Sequence, residues 1–356
     1  MTQPDYATDH PVLVTGATGF VAGWLVKRLL EEGFTVHAAV RDPSNAAKTA
    51  HLAALATELP GELKLFKADL LDQGSYAEAM KDCRIVFHTA SPFTFKFSDP
   101  QRDLVDPAVK GTRNVLETAN HTPSVERVVV TSSCAAIFGD NVDIAAAPGG
   151  VLTEEIWNTT SSLTRQPYAF SKTKAEKAAW EMAKAQSRWQ LVTVNPSFVM
   201  GPTVSGDSTS ESHSFLRQFG DGTLKAGAPP FEIGMVDVRD VAEAHVRAGF
   251  VEAAHGRHIV SAETVSLLQL GQILRGHFGG AWPFPTREMP KWLLWLVGPM
   301  IDKSITRDFV SRNMGHRWQA DNSKIRHELG LEFHPVSAAV IEMFQQLIDT
   351  GAVKPK

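Results

Sequence analysis

Short β-branched runs alternate with longer segments of helical periodicity through the first 200 residues, and that rhythm restricts the fold more than any other feature of the chain. PVLVT (11–15), FTVHAAV (34–40), LKLFKADL (63–70), RIVFHTA (84–90), RVVVTSS (127–133) and LVTVNPS (191–197) are nearly continuous apolar runs. Runs of that kind suit strands buried on both faces, because a strand with one wet face would alternate. Between the first two, VAGWLVKRLLEEG carries apolar residues at helical spacing and stops at Gly33. Further helices are expected at 45–59, 76–81, 107–120 and 168–186. Alternation of strand and helix predicts an α/β fold, a Rossmann-type doubly wound parallel sheet covered on both faces.

After residue 200 the rhythm changes. MGPTVSGDSTSES and GTLKAGAPPFEIG read as turn-rich loops, VDVRDVAEAHVRAGF as an amphipathic helix, and RHIVS (257–261) as a short buried strand. Helices are expected at 267–278, around Trp292 and at 338–350, with the proline-rich WPFPTREMP before the second of these. The expected organisation is a dinucleotide-binding domain over 1–200, with 236–262 packing back on it. Segments 201–235 and 263–356 would form a smaller, mostly helical substrate lobe.

The turn TGATGFVAGW (15–24) lies where the first strand ends and the first helix starts. Small residues at such a junction let backbone N–H groups approach a pyrophosphate, and the helix N-terminus favours the anion. The spacing is G-x-x-G-x-x-A rather than G-x-G-x-x-G, with Gly16, Gly19 and Ala22 in the key positions and Gly23 a bystander. A methyl group at Ala22 is compatible with a position that serves helix–strand packing. A carboxylate closing the second strand would accept from a ribose 2′-hydroxyl and repel a 2′-phosphate. Here Val40 is followed by Arg41, with Lys48 seven residues on, so NADP(H) is preferred and NAD(H) remains possible. Asp42 runs against that preference, and the plain alternative for both cations is a solvated surface.

Tyr168 and Lys172 lie four apart on an expected helix, which puts phenol and ammonium on one face. Reducing a carbonyl by hydride requires a proton for the nascent alkoxide. A phenol can supply it if a neighbouring cation lowers its pKa. Tyrosine and lysine at this spacing are commonly a surface pair, but tyrosine occurs three times in this chain and a TSS sequence precedes this one. Ser133 would stand at a strand's carboxyl end, where doubly wound folds bind ligand, and could polarise a carbonyl. Ser132 is the competing choice, and register favours Ser133.

Other chemistries find little support. Thirteen histidines include His255 and His258 three apart, but no cluster with metal-ligand spacing accompanies them, so no metal is expected. No G-x-S-x-G elbow marks a hydrolase. A net charge of −4 gives no reason to expect nucleic acid or an anionic membrane as partner. Two cysteines, Cys83 and Cys134, make no disulfide framework, and MTQPDYATDHP has neither the basic nor the apolar part of a signal peptide. A cytoplasmic location is expected. WLLWLVGPMI (292–301) is about half the ~20 residues of a membrane span, so a buried or partner-facing helix is expected there.

The chain resembles an extended short-chain dehydrogenase/reductase of the NAD(P)-dependent epimerase/dehydratase superfamily. The nearest branch holds dihydroflavonol 4-reductases, yeast methylglyoxal/ketone reductases and related aldehyde reductases. TGATGFVAGWLVKRLL, HAAVRDP, ADLLD, FHTASPF, DPAVKGTRNVLETA, RVVVTSS, YAFSKTKAEKAAW, VTVNPSFVMGP, VDVRDVAEAH and DNSKIRHELG carry the resemblance, in the family's order over almost the whole chain. It implies that Gly16, Ala17, Thr18, Gly19, Phe20 and Val21 form the dinucleotide turn. Arg41 and Lys48 would meet the 2′-phosphate, and Asp69 with Leu70 the adenine. Thr89, Ala90 and Ser91 would line the ribose side, Tyr168 and Lys172 would also touch the cofactor, and Pro196 and Ser197 would approach the carboxamide. Asp69 and Ser197 could instead cap turns, and Thr89 could satisfy backbone groups.

Two departures bear on substrate. The cinnamoyl-CoA reductase branch carries N-W-Y-C-Y ahead of the catalytic helix, where this chain has WNTTSSLTRQPYAF, so a CoA thioester is not expected. The flavonoid pocket is not recognisable in CAAIFGDNVDIAAAPGG. What is left is an apolar carbonyl pocket around Ser133 and Tyr168, with Phe93, Phe95 and Phe97 as candidate walls or ordinary core. The expected function is NADPH-dependent reduction of a small-molecule aldehyde or ketone by a monomer or homodimer, with catalytic Ser133, Tyr168 and Lys172. Rival readings are a nucleotide-sugar epimerase or dehydratase, a hydroxysteroid dehydrogenase, and a non-catalytic NADP sensor. A sensor typically loses the tyrosine or lysine kept here.

Overall fold

A computed structural model describes residues 8–91, 97–206 and 210–355. Its strands are β1 (Val12–Thr15), β2 (Thr35–Val40), β3 (Glu62–Lys67), β4 (Ile85–His88), β5 (Arg127–Thr131), β6 (Gln190–Pro196), β7 (Phe198–Met200), β8 (Glu232–Asp237), β9 (Gly256–Val260) and β10 (Glu263–Ser266). Seven of them form one sheet in the order β3-β2-β1-β4-β5-β6-β9, with every neighbouring pair parallel. The order runs outward in both directions from β1. The chain therefore crosses to opposite faces on either side of it, and a crevice opens at the carboxyl ends of β1 and β4.

Both faces of the sheet are covered, as its continuous apolar strands require. The helix Phe20–Glu31 turns Leu25, Val26, Leu29 and Leu30 onto the sheet, all fully buried. It ends before Gly33, whose φ of 83° suits glycine. The helix Val238–Phe250 packs along it and is tied to it by Arg28 and Glu243, 2.9 Å apart. The other face carries the helices Asp106–His121 and Pro167–Lys184, which pack on each other. β9 joins the main sheet as its last strand beside β6.

The chain beyond residue 197 differs in part from the sequence expectation. It contains a three-stranded sheet, β10-β8-β7, that the loop-like sequence around it does not announce. It also contains the helix Glu211–Gly220, capped by the Ser210 side chain. Its core is aromatic: Trp282 and Phe284 set their rings edge-on to Phe344 at 5.1 and 5.3 Å. The helix Leu267–Phe278 has the expected bounds and begins with a capping box between Ser266 and Gln269. The third strand is shorter than 63–70, so Asp69 and Leu70 sit in the turn beyond it. The helix Lys291–Ile301 buries Leu294 against Val310 and Met314 but leaves Trp292, Met300 and Ile301 largely exposed. Among the described residues no helix is long and apolar enough to cross a membrane.

Two helical glycines show how tightly the first layer is packed. A Cβ on Gly249 would stand 2.7 Å from the Phe87 ring, which is fully buried in β4. A Cβ on Gly276 would meet nothing within 4 Å. The same substitution should therefore have opposite signs at the two positions. Gly276→Ala is expected to stabilise by up to about 1 kcal/mol through helix propensity. Gly249→Ala is expected to destabilise by about 1–3 kcal/mol despite the same gain. Urea midpoints of the two variants check this.

Candidate active site

The glycine turn sits at the crevice between β1 and β4. Gly16 has φ 64°, and a Cβ there would lie 2.9 Å from the Ala90 methyl group, so glycine is required twice over. Gly19 is the N-cap of the first helix, with no side chain capping it and no acidic residue in the first turn. The first-turn N–H groups and the positive end of a twelve-residue helix are thus free to receive an anion. Ala17 is buried and its N–H donates to the Ala39 carbonyl at 3.3 Å, while Thr18 and Gly19 are exposed along the open side. Phe20 and Val21 are half-buried, Phe20 edge-on to His213 at 5.3 Å. Ala22 packs in the core, and a Cβ on Gly23 would make only ordinary contact with Val204 at 3.9 Å. A backbone cradle of this form fits a dinucleotide pyrophosphate.

The other residues expected at a cofactor lie around that turn. Thr89 donates to the Thr15 carbonyl at 2.5 Å, and the Ala90 N–H donates to Thr15 Oγ1 at 3.1 Å, so the segment after β4 is clamped to the end of β1. Thr89 does satisfy a backbone group, as its plain alternative had it. Ser91 Oγ accepts from Lys172 Nζ at 3.0 Å. Pro196 ends β6 and is buried, and the Ser197 N–H donates to the Val260 carbonyl at 3.0 Å. Arg41 and Lys48 are exposed beyond β2. The Asp42 carboxylate is occupied locally, accepting from the Ser44 hydroxyl at 2.6 Å and its N–H at 3.0 Å. Asp69 Oδ1 accepts from the Leu71 N–H at 2.9 Å in the turn. Phe93 and Phe95 lie outside the described residues, and Phe97 is half-buried.

Ser133, Tyr168 and Lys172 come together at the carboxyl end of β5. Ser133 follows the strand in extended conformation, and its side chain hydrogen-bonds to Tyr168. Tyr168 enters from the start of the helix Pro167–Lys184, with Lys172 one turn on and buried. Ser132 points the other way: it is buried and donates to Glu176 Oε2 at 2.5 Å. Burial pushes the Tyr168 phenol above its ordinary value, opposed by the hydrogen bond from Ser133. Ser133, rather than the expected Lys172, opposes burial; the ammonium sits 5.9 Å from the ring centroid and bonds to Ser91. Burial also lowers Lys172 to about 8, with the Glu176 charge opposing the fall.

Three residues that sequence reasoning missed support this group. Gln166, just before the helix, is left-handed at φ 49°, a conformation worth about 1–3 kcal/mol of strain for a non-glycine residue. Its amide donates to Asp140 Oδ1 at 2.6 Å, and Asn313 donates to the same oxygen at 2.8 Å. Asn313 also accepts from the Asn141 N–H at 3.0 Å, so the C-terminal part of the chain is latched to the entry of the helix bearing Tyr168. Nothing in the local sequence marks that latch. Among the described residues no group of three or more His, Cys, Asp or Glu is arranged to hold a metal; His258 Nε2 bonds instead to Glu328 at 3.0 Å.

Comparison with known proteins places the chain in a family. The model of the NAD dependent epimerase/dehydratase family matches residues 12–260. The chain is 37% identical over 350 residues to tetraketide alpha-pyrone reductase 1 of Arabidopsis thaliana, covering 96% of each. It is 40% identical over 270 residues to cinnamoyl-CoA reductase CAD2 of Medicago truncatula, covering 74% of this chain and 79% of the relative. Among solved structures, a yeast methylglyoxal/isovaleraldehyde reductase in complex with NADPH superposes with a TM-score of 0.77 at 27% identity, covering 96% of this chain and 99% of the other. These relatives are reductases with different substrates, so they support reductase chemistry and leave the substrate open. The chain belongs to the NAD dependent epimerase/dehydratase family, within its branch of dihydroflavonol-reductase-like oxidoreductases.

Proposed function

We propose that this protein reduces an aldehyde or ketone to the alcohol with NADPH, reversibly, through Ser133, Tyr168 and Lys172. The observation that carries the reading is the hydrogen bond between the Ser133 hydroxyl and Tyr168, with the Lys172 ammonium one turn along the same helix. NADPH, when bound, supplies a hydride to the carbonyl carbon. The Ser133 hydroxyl donates to the carbonyl oxygen and stabilises the charge that gathers there. Tyr168 gives its phenolic proton to that oxygen as the alkoxide forms, and Lys172 steadies the phenolate left behind. Lys172 also holds the ribose hydroxyls, and a solvent relay returns the proton to Tyr168. Gly16 to Val21 hold the pyrophosphate, with the first helix aimed at it. Thr89 to Ser91 flank the ribose, Asp69 and Leu70 the adenine, and Pro196 and Ser197 the carboxamide.

The preference for the phosphorylated cofactor rests on Arg41 and Lys48. Both are exposed beyond β2, and the nearby Asp42 carboxylate is already committed to Ser44. Two cations and no free carboxylate favour a 2′-phosphate.

Assays of an aldehyde and ketone panel with NADPH and NADH, read by loss of reduced-nicotinamide absorbance, test the activity. Net oxidation of NADPH is expected; an epimerase or dehydratase would show none. Tyr168→Phe should lower kcat by about 100-fold or more, the usual worth of a positioned proton donor. NADPH affinity, read by fluorescence titration, should stay within about twofold, since RT ln 2 is small beside a lost contact. Replacing Arg41 and Lys48 by Ala together should weaken NADPH by about tenfold, or ~1.4 kcal/mol, and leave NADH unchanged. Equal weakening of both cofactors would remove the cations from the 2′-phosphate.

A further inference from the structure

Glu176 lies one turn beyond Lys172 and two beyond Tyr168 on the same helix, and its side chain is fully buried. Its carboxylate is the hub of a dense set of donors. Arg257 of β9 approaches with Nε at 2.6 Å from Oε1 and Nη2 at 3.3 Å from Oε2. Ser132 and Asn195 donate to Oε2 at 2.5 and 2.8 Å, and Trp180 donates to Oε1 at 3.2 Å. Asn195 donates also to the Ser133 carbonyl at 3.2 Å. One carboxylate therefore fixes both the backbone and the neighbour of the serine that bonds to Tyr168.

The same carboxylate faces the side of the site occupied by Lys172. A small cavity of about 20 Å³ is lined by both, together with His88, Ser91 and Ser132. Among the described residues, the charged and titratable groups around Lys172 come from β4, β9 and its own helix. His88 comes from β4, and burial together with the Lys172 charge lowers it to about 3, so it is neutral. Tyr168 and Glu176 come from its own helix. Arg257 comes from β9, behind Glu176, with its outer face against Trp157 and the Glu154 and Ile156 carbonyls. The helix Asp106–His121 lines the cavity only with Ala108 and Thr112. Glu176 is thus a negative group one turn from a buried cation whose charge burial disfavours.

We propose that Glu176, anchored by Arg257, is a positioning residue of this site: it sets the strand end that carries Ser133 and supplies the counter-charge that keeps Lys172 an ammonium. The proposal rests on the reductase reading for its rate assay but not for its binding assay. A buried ion pair is weak evidence for stability in itself. Its placement here, touching the serine's neighbour and facing the lysine, is what gives it a role in chemistry.

The Lys172 ammonium is favoured by Glu176 and disfavoured by burial, and it titrates at about 8. Glu176→Gln removes the opposing charge and leaves Arg257 unneutralised, so the ammonium should be lost at lower pH. The alkaline limb of kcat, which falls as Lys172 deprotonates, should then move down by about one pH unit or more, a tenfold change per unit on the falling limb. Arg257→Met leaves the carboxylate and removes a cation, so the limb should move up. Glu176→Asp retains the charge and should restore the wild-type limb. KM for the carbonyl should change less than kcat.

The test measures kcat against pH for the wild type and the three variants. In parallel, NADPH binding is followed against pH by quenching of tryptophan fluorescence, and thermal unfolding of the cofactor-free protein is recorded. A purely structural Glu176 would lower the rate equally at every pH and leave both limbs in place, and that result overturns the proposal. If Glu176→Gln does not fold, the Asp and Met variants decide: limbs of the same pH in both, with kcat lowered, also overturn it. If wild type binds NADPH but reduces no carbonyl, the reductase reading fails on its own. The pH limb of NADPH binding then still reports on Glu176.

Discussion

A parallel sheet that grows outward in both directions from β1 cannot close its own centre. The connections leaving β1 and β4 depart toward opposite faces, so the carboxyl ends of those two strands are left without a crossing helix above them. Backbone groups in such a gap need partners, and the chain provides them sparingly. Thr15 takes hydrogen bonds from Thr89 and Ala90, and Gly16 lets the two segments approach to contact distance. What is left open is the start of the first helix. The dinucleotide cradle, the lysine beside Ser91 and the serine at the end of β5 all take their positions from that one gap.

Polar residues dominate the floor of the site although it lies in a sheet of valine and isoleucine. Glu176, Arg257, Asn195, Thr193 and Ser132 form a buried network beside Ser133 and Lys172. A network of that kind is costly when any member lacks a partner and rigid when all are satisfied. Here it links β5, β6, β9 and the helix Pro167–Lys184, so the edge strand contributed from beyond residue 250 reaches the centre of the chemistry. Burial pulls the tyrosine and the lysine in opposite directions, the phenol up and the ammonium down. Each shift favours the neutral form, and the surrounding hydrogen bonds and charges oppose it.

Much of this was legible in the sequence, and the reasons differ by element. The sheet could be read because strands covered on both faces lose their alternation. The Tyr168–Lys172 pair and the glycine turn could be read because each is local, four or three residues apart. Glu176 carried the same signal, four residues beyond Lys172 and eight beyond Tyr168, and extending the spacing by one turn would have found it. Arg257 had no such signal, since it arrives from a strand 81 positions away in the chain. The helix Glu211–Gly220 was hidden because its buried face includes Ser212 and His213, which break the apolar stripe. β8 was hidden by Gly234, where the Trp318 ring lies within 2.1 Å of any added Cβ. A glycine in a strand then marks a neighbour rather than a turn.

The latch formed by Asn313, Asp140 and Gln166 has a bearing on how such molecules diversify. A lobe that chooses the substrate is commonly imagined as an exchangeable head on a constant cofactor-binding body. In this chain Asn313, from the C-terminal part, shares an oxygen of Asp140 with Gln166, whose backbone is left-handed just ahead of Tyr168. A transplanted C-terminal half lacking an amide at that place would bring a new pocket and, with it, a relaxed turn before Tyr168. Recombination between relatives is therefore constrained at a position that touches neither of the bound molecules. Inheritance of the pocket and inheritance of the chemistry are joined there by two hydrogen bonds to one oxygen.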